Sequence, residues 1–246
     1  MKNTNPTDLN GKVAVVTGAN GGIGRATVEA LCARGARVVM TDMKQPENLP
    51  AGVEFQFLDV TDVEALRNLA GTVAAKHGSL DIWVNNAGML NRQDSLELEL
   101  DNWLKTQAVN LQGTFFGAQA AARQMAKQGS GVIVNLSSYA GVKARPNCAD
   151  YASAKAGVAH LTKCLALEWG HLGIRVNAIA PGYIETPMSS WMHGDPENYK
   201  TYLAKIPAGR LGQPEEIAKT VVYLASDLAS YVTGHVVAAD GGASKS

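Results

Sequence analysis

Along the chain, short apolar runs alternate with longer stretches in which apolar residues return every three or four positions. The runs are 13–17 (VAVVT), 37–41 (RVVMT), 53–58 (VEFQFL), 81–84 (DIWV), 131–137 (GVIVNLS), 174–179 (IRVNAI) and 235–239 (HVVAA). Most are nearly continuous, the pattern of strands covered on both faces. Helical periodicity falls at about 23–34, 62–76, 101–127, 151–170, 196–205 and 214–226. "GDPEN" and "GQPEE" each place proline and acidic residues in a first turn, a good helix start. Strand–helix alternation with right-handed crossovers predicts an α/β fold: a doubly wound, parallel, seven-stranded sheet with helices on both faces, Rossmann-like. No repeat, low-complexity tract or Gly/Ser linker interrupts the pattern, so residues 1–246 read as a single domain. The least regular stretch, 183–213, follows a strand end. Ligands of open α/β sheets bind outside the carboxyl ends of strands, so this insert is placed to cover a site.

Composition narrows the class of partner. Twenty-two basic residues balance 22 acidic ones, and 18 % of the chain is charged. A neutral balance points to a small-molecule partner and away from nucleic acid or an anionic membrane. The apolar runs are far too short to span a bilayer. The N-terminus, MKNTNPTDLN, has no apolar core of a secretory signal. Three widely spaced cysteines, Cys32, Cys148 and Cys164, suggest reduced thiols and a cytoplasmic protein. Five histidines form no HExxH and no Cys/His cluster, so no metal site is expected.

"VAVVTGANGGIGRATVEAL" reads as strand, glycine loop and helix, with Gly18, Gly22 and Gly24 spaced G-x-x-x-G-x-G. Glycines there allow a tight turn and close approach of backbone N–H groups to a pyrophosphate at a helix N-terminus. Alone, the loop could be an ordinary strand-to-helix turn. The next strand ends in Asp42, whose carboxylate is suited to ribose hydroxyls and repels a 2′-phosphate. That favours NAD, with NADP the less favoured cofactor. Lys44 and Arg25 bring positive charge nearby and pull the other way.

Two Tyr-x-x-x-Lys pairs occur, Tyr139/Lys143 and Tyr151/Lys155. Residues four apart share a helix face. The first pair lies in "SSYAGVKARP", with Gly141 inside and Pro146 following, and reads as loop. The second opens a long helical pattern, and thirteen residues before it stands Ser138, at the carboxyl end of a predicted strand. An ammonium beside a phenol favours the phenolate and lowers a pKa otherwise near 10.

At this point the whole chain resembles the short-chain dehydrogenase/reductase family. Its motifs run in order: "TGANGGIG" at 17–24, Asp59 in "LDVTD", "NNAG" at 85–88, Asn110 in "AVNLQG", Ser138, "YASAK" at 151–155 and "PGYIET" at 181–186. The resemblance implies a single dinucleotide-binding and catalytic domain. Tyr151 would be the general acid/base. Lys155 would lower its pKa and hold the nicotinamide ribose. Ser138 would place the reacting oxygen, and Asn110 would kink its helix and link Lys155 to solvent through water. The loop residues Gly18, Asn20, Gly21, Gly22, Ile23 and Gly24 would cradle phosphate. Asp59 and Val60 would meet adenine, and Asn86, Ala87 and Gly88 would lie beneath the ribose. Pro181, Gly182, Ile184 and Thr186 would clamp the nicotinamide. Asn85 reads instead as a sheet brace, and Asp150 as an N-terminal helix acid.

Substrate is expected between Ser138/Tyr151, the residues after "NNAG", and the insert. The candidates to touch it are Asn147, Cys148, Tyr183, Met188 and Trp191, with Met89, Leu90, Val142 and Met192 as further walls. The first expectation is an NAD-linked dehydrogenase of a secondary alcohol, polyol or sugar-type substrate. One alternative is an NADPH-dependent 3-oxoacyl thioester reductase. The positions where the carrier-docking arginines of such reductases would stand hold Gly129 and Leu172. Another alternative is a non-catalytic NAD(H)-binding sensor or scaffold, which has no need of the Ser/Tyr/Lys/Asn set. The helices at 101–127 and 151–170 carry more apolar surface than one sheet face needs, and the resemblance implies that they pair in a homotetramer.

Overall fold

The computed structural model describes residues 5–194 and 196–245, without the side chains of Trp191, His193, Pro196, Glu197 and Asn198. The strands are β1 (Val13–Thr17), β2 (Arg37–Asp42), β3 (Glu54–Phe57), β4 (Ile82–Asn85), β5 (Gly131–Leu136), β6 (Ile174–Pro181) and β7 (Val236–Ala239). They form one parallel sheet in the order β3-β2-β1-β4-β5-β6-β7. This is the doubly wound sheet that the apolar runs predict.

The reason the runs are continuous lies in two cores. In β1, Ala14 and Val16 face one side, where they pack with Val28 and Leu31 of α1 (Gly22–Cys32) and Ile217 and Val221 of α7 (Pro214–Ala225). Val13 and Val15 face the other side. There they join Leu66 and Leu69 of α2 (Val63–His77), Ala118 and Met125 of α4 (Gly113–Gln128), and Leu165 of α5 (Ala149–Trp169). Alternate side chains of one strand thus enter opposite cores, and both faces of the sheet are covered.

Local chemistry explains the helix ends. The Asp62 carboxylate accepts from the Ala65 N–H at 2.9 Å and caps α2, and Gly78 closes it at φ 83°. Pro214 opens α7, with Gln213 and Glu216 forming a capping box. Most boundaries lie within two residues of expectation.

One element differs in kind. The stretch 101–127 is not a single α-helix. It is α3 (Leu100–Gln107), a π-helical turn (Ala108–Gln112), then α4. Asn110 sits in that turn, fully buried. Its amide donates to Thr106 O at 3.1 Å and Met89 O at 2.9 Å, and its own carbonyl accepts from Thr114 Oγ1 at 2.8 Å. Side-chain bonds to the backbone thus stand in where the regular ladder is widened.

The stretch 183–213 contains a 3₁₀ segment (Pro187–Gly194) and α6 (Pro196–Leu203). It closes on itself through backbone bonds between Tyr183, Glu185 and Gly212. Its own small core contains Tyr139, Tyr183, Met192, Ile206, Leu211 and Ala243. Among the described residues, no helix is long and apolar enough to cross a membrane.

Candidate active site

The strand order reverses between β1 and β4, which leaves a crevice beyond their carboxyl ends. Backbone crowding makes glycine obligatory there. Gly18 has φ +60°, and a Cβ on it would lie 2.6 Å from Ala87 Cα. A Cβ on Gly24 would lie 2.3 Å from the Gly18 carbonyl oxygen. Gly21 caps α1 without any side-chain bond, and no acid stands in the first turn. The N-terminal amides of α1 therefore open onto an uncapped, acid-free turn, which fits the pyrophosphate of a dinucleotide. Thr186, across the crevice, lies 3.0 Å from where a Cβ of Gly22 would stand. The "PGYIET" segment and the glycine loop thus form opposite walls of one slot.

Asp42 stands at the end of β2. Its carboxylate accepts from the backbone N–H of Asn20 at 3.0 Å and of Lys44 at 3.2 Å. Arg25 turns away, to Glu29 Oε1 at 2.8 Å and Asn48 O at 2.6 Å. Asp59 holds Thr61 through two bonds of 2.8 and 2.7 Å. Val60 packs so closely on α4 that a Cβ on Gly113 would lie 2.9 Å from its carbonyl oxygen. Asn85 accepts from Trp83 Nε1 at 2.7 Å and donates to Thr114 O and Asn135 Oδ1, the bracing role expected of it. The Asn86 amide, placed beneath the ribose by the resemblance, donates to Thr17 O at 2.9 Å and Gly18 O at 2.8 Å. It braces the glycine loop from beneath.

At the chemical end, Tyr151 lies in the first turn of α5, 9 % exposed, and Lys155 one turn on, 3 % exposed. Lys155 Nζ donates to Leu136 O at 2.8 Å and stands 5.7 Å from the Tyr151 ring centre. The Ser138 hydroxyl accepts from the Ala140 N–H at 3.1 Å and stands close enough to the Tyr151 phenol to favour its ionised form. Its neighbour Ser137 donates to Lys155 O at 2.8 Å, so Ser137 pins the helix and Ser138 faces the phenol. Gly88 brings the fourth residue in: a Cβ on it would lie 2.8 Å from Asn110 Oδ1 and 3.4 Å from Lys155 Nζ. The structure therefore brings Ser138, Tyr151, Lys155 and Asn110 together from the segment just after β5, from α5 and from the π-turn.

The electrostatics depart from one expectation. Burial pushes the Tyr151 phenol up, while the Ser138 hydrogen bond and the Arg145 charge pull it down without reversing the shift. Burial also lowers Lys155, to about 8. The lysine alone was expected to lower the tyrosine. In the structure desolvation dominates both groups, each toward its neutral form.

The second pair takes a different course. Tyr139 lies in a 3₁₀ turn (Tyr139–Gly141) and is buried in the insert's core, 4.9 Å from the Tyr183 ring. Lys143 Nζ reaches Ala243 O at 3.4 Å. On the substrate side, Asn147 holds a left-handed φ of 58° just before α5. Cys148 is buried with Ala140, Tyr151 and Leu90. Its thiol is raised by burial, against the charges of Arg145 and Arg92. Met188 is 45 % exposed and Val142 59 %. The Trp191 side chain lies outside the described residues.

Two contributions escaped sequence reasoning. Asn135 donates to Thr162 Oγ1 at 3.0 Å and completes a buried polar chain with Asn85. Its only signal is an asparagine inside a valine-rich strand. Arg145 lies over both Tyr139 and Tyr183, at 5.0 and 4.9 Å from the ring centres. Its signal is an arginine in a Pro/Asn loop just ahead of Tyr151.

A crevice floored by bare backbone and walled by a buried phenol and ammonium has the make-up of a dinucleotide-dependent oxidoreductase. Comparisons with known proteins give the group. A family model described as enoyl-(acyl carrier protein) reductase matches residues 18–244. The 3-oxoacyl-[acyl-carrier-protein] reductase of Thermotoga maritima is 41 % identical over 244 residues, covering 95 % of this chain and 98 % of that protein. Galactitol 2-dehydrogenase (L-tagatose-forming) of Cereibacter sphaeroides is 42 % identical, covering 95 % of each. A gluconate 5-dehydrogenase from Burkholderia cenocepacia, solved in complex with NADP and tartrate, superposes with a TM-score of 0.93 at 33 % identity, over 98 % of both chains. The chain belongs to the short-chain dehydrogenase/reductase family. It is an oxidoreductase that moves a hydride between a nicotinamide cofactor and a CH–OH or keto group.

Proposed function

We propose that the chain is an NAD-linked dehydrogenase of a secondary alcohol, of polyol or sugar type. The observation that carries this is that Asn110 and Lys155 meet beside Gly88, with the Tyr151 ring centre 5.7 Å from Lys155 Nζ and Ser138 next to Tyr151. A nicotinamide, when bound, would supply the hydride chemistry. The protein handles oxygen and proton. Ser138 holds the substrate oxygen, and Tyr151 gives a proton to a forming alkoxide or takes one from an alcohol. Lys155 keeps two N–H donors beyond the one spent on Leu136, and these hold ribose hydroxyls. Asn110 keeps its helix open beside Lys155 for a water path. Gly18, Asn20, Gly21, Gly22, Ile23 and Gly24 cradle the phosphates. Asp59 and Val60 border adenine, Ala87 and Gly88 the ribose, and Pro181, Gly182, Ile184 and Thr186 the nicotinamide. Cys148 and Tyr183 line the substrate side.

NAD is favoured because the Asp42 carboxylate is already fixed by two backbone N–H groups while Arg25 is engaged elsewhere. NADP bound to the Burkholderia relative is the contrary indication. The likeness to the Thermotoga 3-oxoacyl reductase keeps a thioester reductase as the second reading. Apolar side chains exposed on α3 and α5, Leu100, Leu104 and Leu167, support a homotetramer, and the free cysteines support a cytoplasmic protein.

Initial rates with NAD and NADP in parallel, over secondary alcohols, polyols, sugar acids and 3-hydroxyacyl thioesters, test the reading. Turnover with NAD on an alcohol class is expected. Turnover only of thioesters with NADP(H) overturns it. Asp42→Ala is expected to lower kcat/KM with NAD by roughly tenfold or more, the loss of a charged hydrogen bond, and to spare NADP. Equal losses would show that Asp42 does not read the ribose.

A further inference from the structure

We propose that Arg145 is an anchor for a carboxylate on the substrate, so that the enzyme acts on hydroxy- and oxo-carboxylates in preference to neutral alcohols. This rests on reading Ser138 and Tyr151 as the groups that meet the reacting oxygen.

The Arg145 side chain is half-buried, yet among the described residues its guanidinium makes no hydrogen bond and no ion pair. The other half-buried arginines among the described residues are engaged. Arg25 meets Glu29 and Asn48, Arg175 meets Val232 O and Ser226 O, and Arg92 has a partner. No Arg145 nitrogen is among the buried unpartnered side-chain atoms, so its donor edges stay open to solvent and can meet a ligand. Two aromatic rings pack against the guanidinium. Tyr139 and Tyr183 stack beneath it at 5.0 and 4.9 Å, which holds the guanidinium in place before any ligand arrives. A held guanidinium presents the paired donors that match a carboxylate.

Its place in the site is set by its neighbours. Tyr139 follows Ser138, and Tyr183 follows Gly182 of the nicotinamide clamp. The Arg145 charge is felt by both Tyr151 and Cys148. Arg145 therefore overlooks the substrate side of the crevice, whereas the glycine loop serves the cofactor phosphates. A second cation, Arg92, bears on Cys148 from the loop after "NNAG". One held guanidinium suits a monoanion better than a phosphate dianion.

The test uses matched substrates: hydroxycarboxylates, their neutral primary amides, and hydroxyalkyl phosphates of equal length. Wild-type kcat/KM should favour acid over amide by roughly 10- to 100-fold, through KM. Arg145→Gln should bring that ratio close to one, and Arg145→Lys should restore part of it. A non-reacting carboxylate, glutarate, should quench or shift the fluorescence of the wild-type NADH complex and fail to do so with Arg145→Gln. A wild-type ratio near one, a ratio that survives Arg145→Gln, or a preference for the phosphates would overturn the proposal. Failure of the underlying reading looks different: Tyr151→Phe would then turn over acids and amides alike at wild-type rates.

Discussion

The two Tyr-x-x-x-Lys pairs differ in everything except spacing. Tyr151 opens a 21-residue helix, so one α-turn sets Lys155 beneath it. Tyr139 sits in a three-residue 3₁₀ turn, where the chain then bends away and Lys143 leaves for the C-terminal turn. A hydroxyl partner completes the contrast: Ser138 faces Tyr151, and Tyr139 faces an arginine and a second tyrosine ring. The lesson is that a four-residue spacing carries chemistry only where helix geometry makes it a shared face, and where the neighbouring strand ends at the same place. The pairs also touch. Gly141 lies so near α5 that a Cβ on it would stand 2.6 Å from the Lys155 carbonyl carbon. The packing turn thus supports the helix that carries the other pair.

Exchanging one phenol is expected to separate the pairs most widely. Tyr151→Phe should lower kcat by about 10²- to 10⁴-fold, the usual worth of a positioned acid/base, while NADH binding followed by fluorescence stays near wild type. In the wild type, a phenol raised by burial must lose its proton before it can accept one from an alcohol. Oxidation rates should therefore climb as pH rises into the alkaline range, and carbonyl reduction should not. A flat oxidation profile would remove Tyr151 from the base role.

A smaller effect concerns stability. Lys155 titrates near 8 in the fold against 10.5 ordinarily. Below pH 8 both folded and unfolded chains carry the charge, and the fold bears its desolvation. Between 8 and 10.5 the folded chain releases the proton first, so stability is gained as pH rises. Above 10.5 both forms are neutral and the deficit is gone. The shift corresponds to about 3 kcal/mol at neutral pH. Lys155→Met should accordingly raise the thermal midpoint of the unliganded protein at pH 7, with the gain shrinking toward pH 10, even as turnover is lost. A midpoint that falls at pH 7 would show that the bond to Leu136 outweighs desolvation.

Tyr139→Phe should do least. Its ring, not its hydroxyl, packs the insert and carries Arg145, so kcat should change by no more than about twofold and stability by under about 1 kcal/mol. A dead Tyr139→Phe with an active Tyr151→Phe would invert the comparison.

Much of this was legible before any coordinates. Continuous apolar runs such as VAVVT told of a sheet covered on both faces, because alternate residues had to be apolar on each side. The order of strand, glycine loop and acidic strand end located the dinucleotide crevice. Asn110, Ser138, Tyr151 and Lys155 were named from the resemblance to the family, and in the structure they lie near one another. What misled was anything decided by solvent. Spacing put an ammonium near a phenol, but the sign of the phenol's shift depends on how deeply both are buried. The resemblance implied a kink at Asn110, but its form as a π-turn was hidden, because 101–127 keeps helical periodicity straight through it.

The sequence by itself determined the elements, their parallel arrangement, the glycine turn after β1 and which of the two tyrosine–lysine pairs lies on a long helix, since all of these follow from local backbone rules repeated along the chain. Only the tertiary structure decided that Asn86 braces the loop, that Arg25 is turned away from the cofactor side and that Arg145 is stacked and unpaired. Each of those depends on which distant side chains meet, and burial and pairing are properties of that meeting, not of any one stretch of chain.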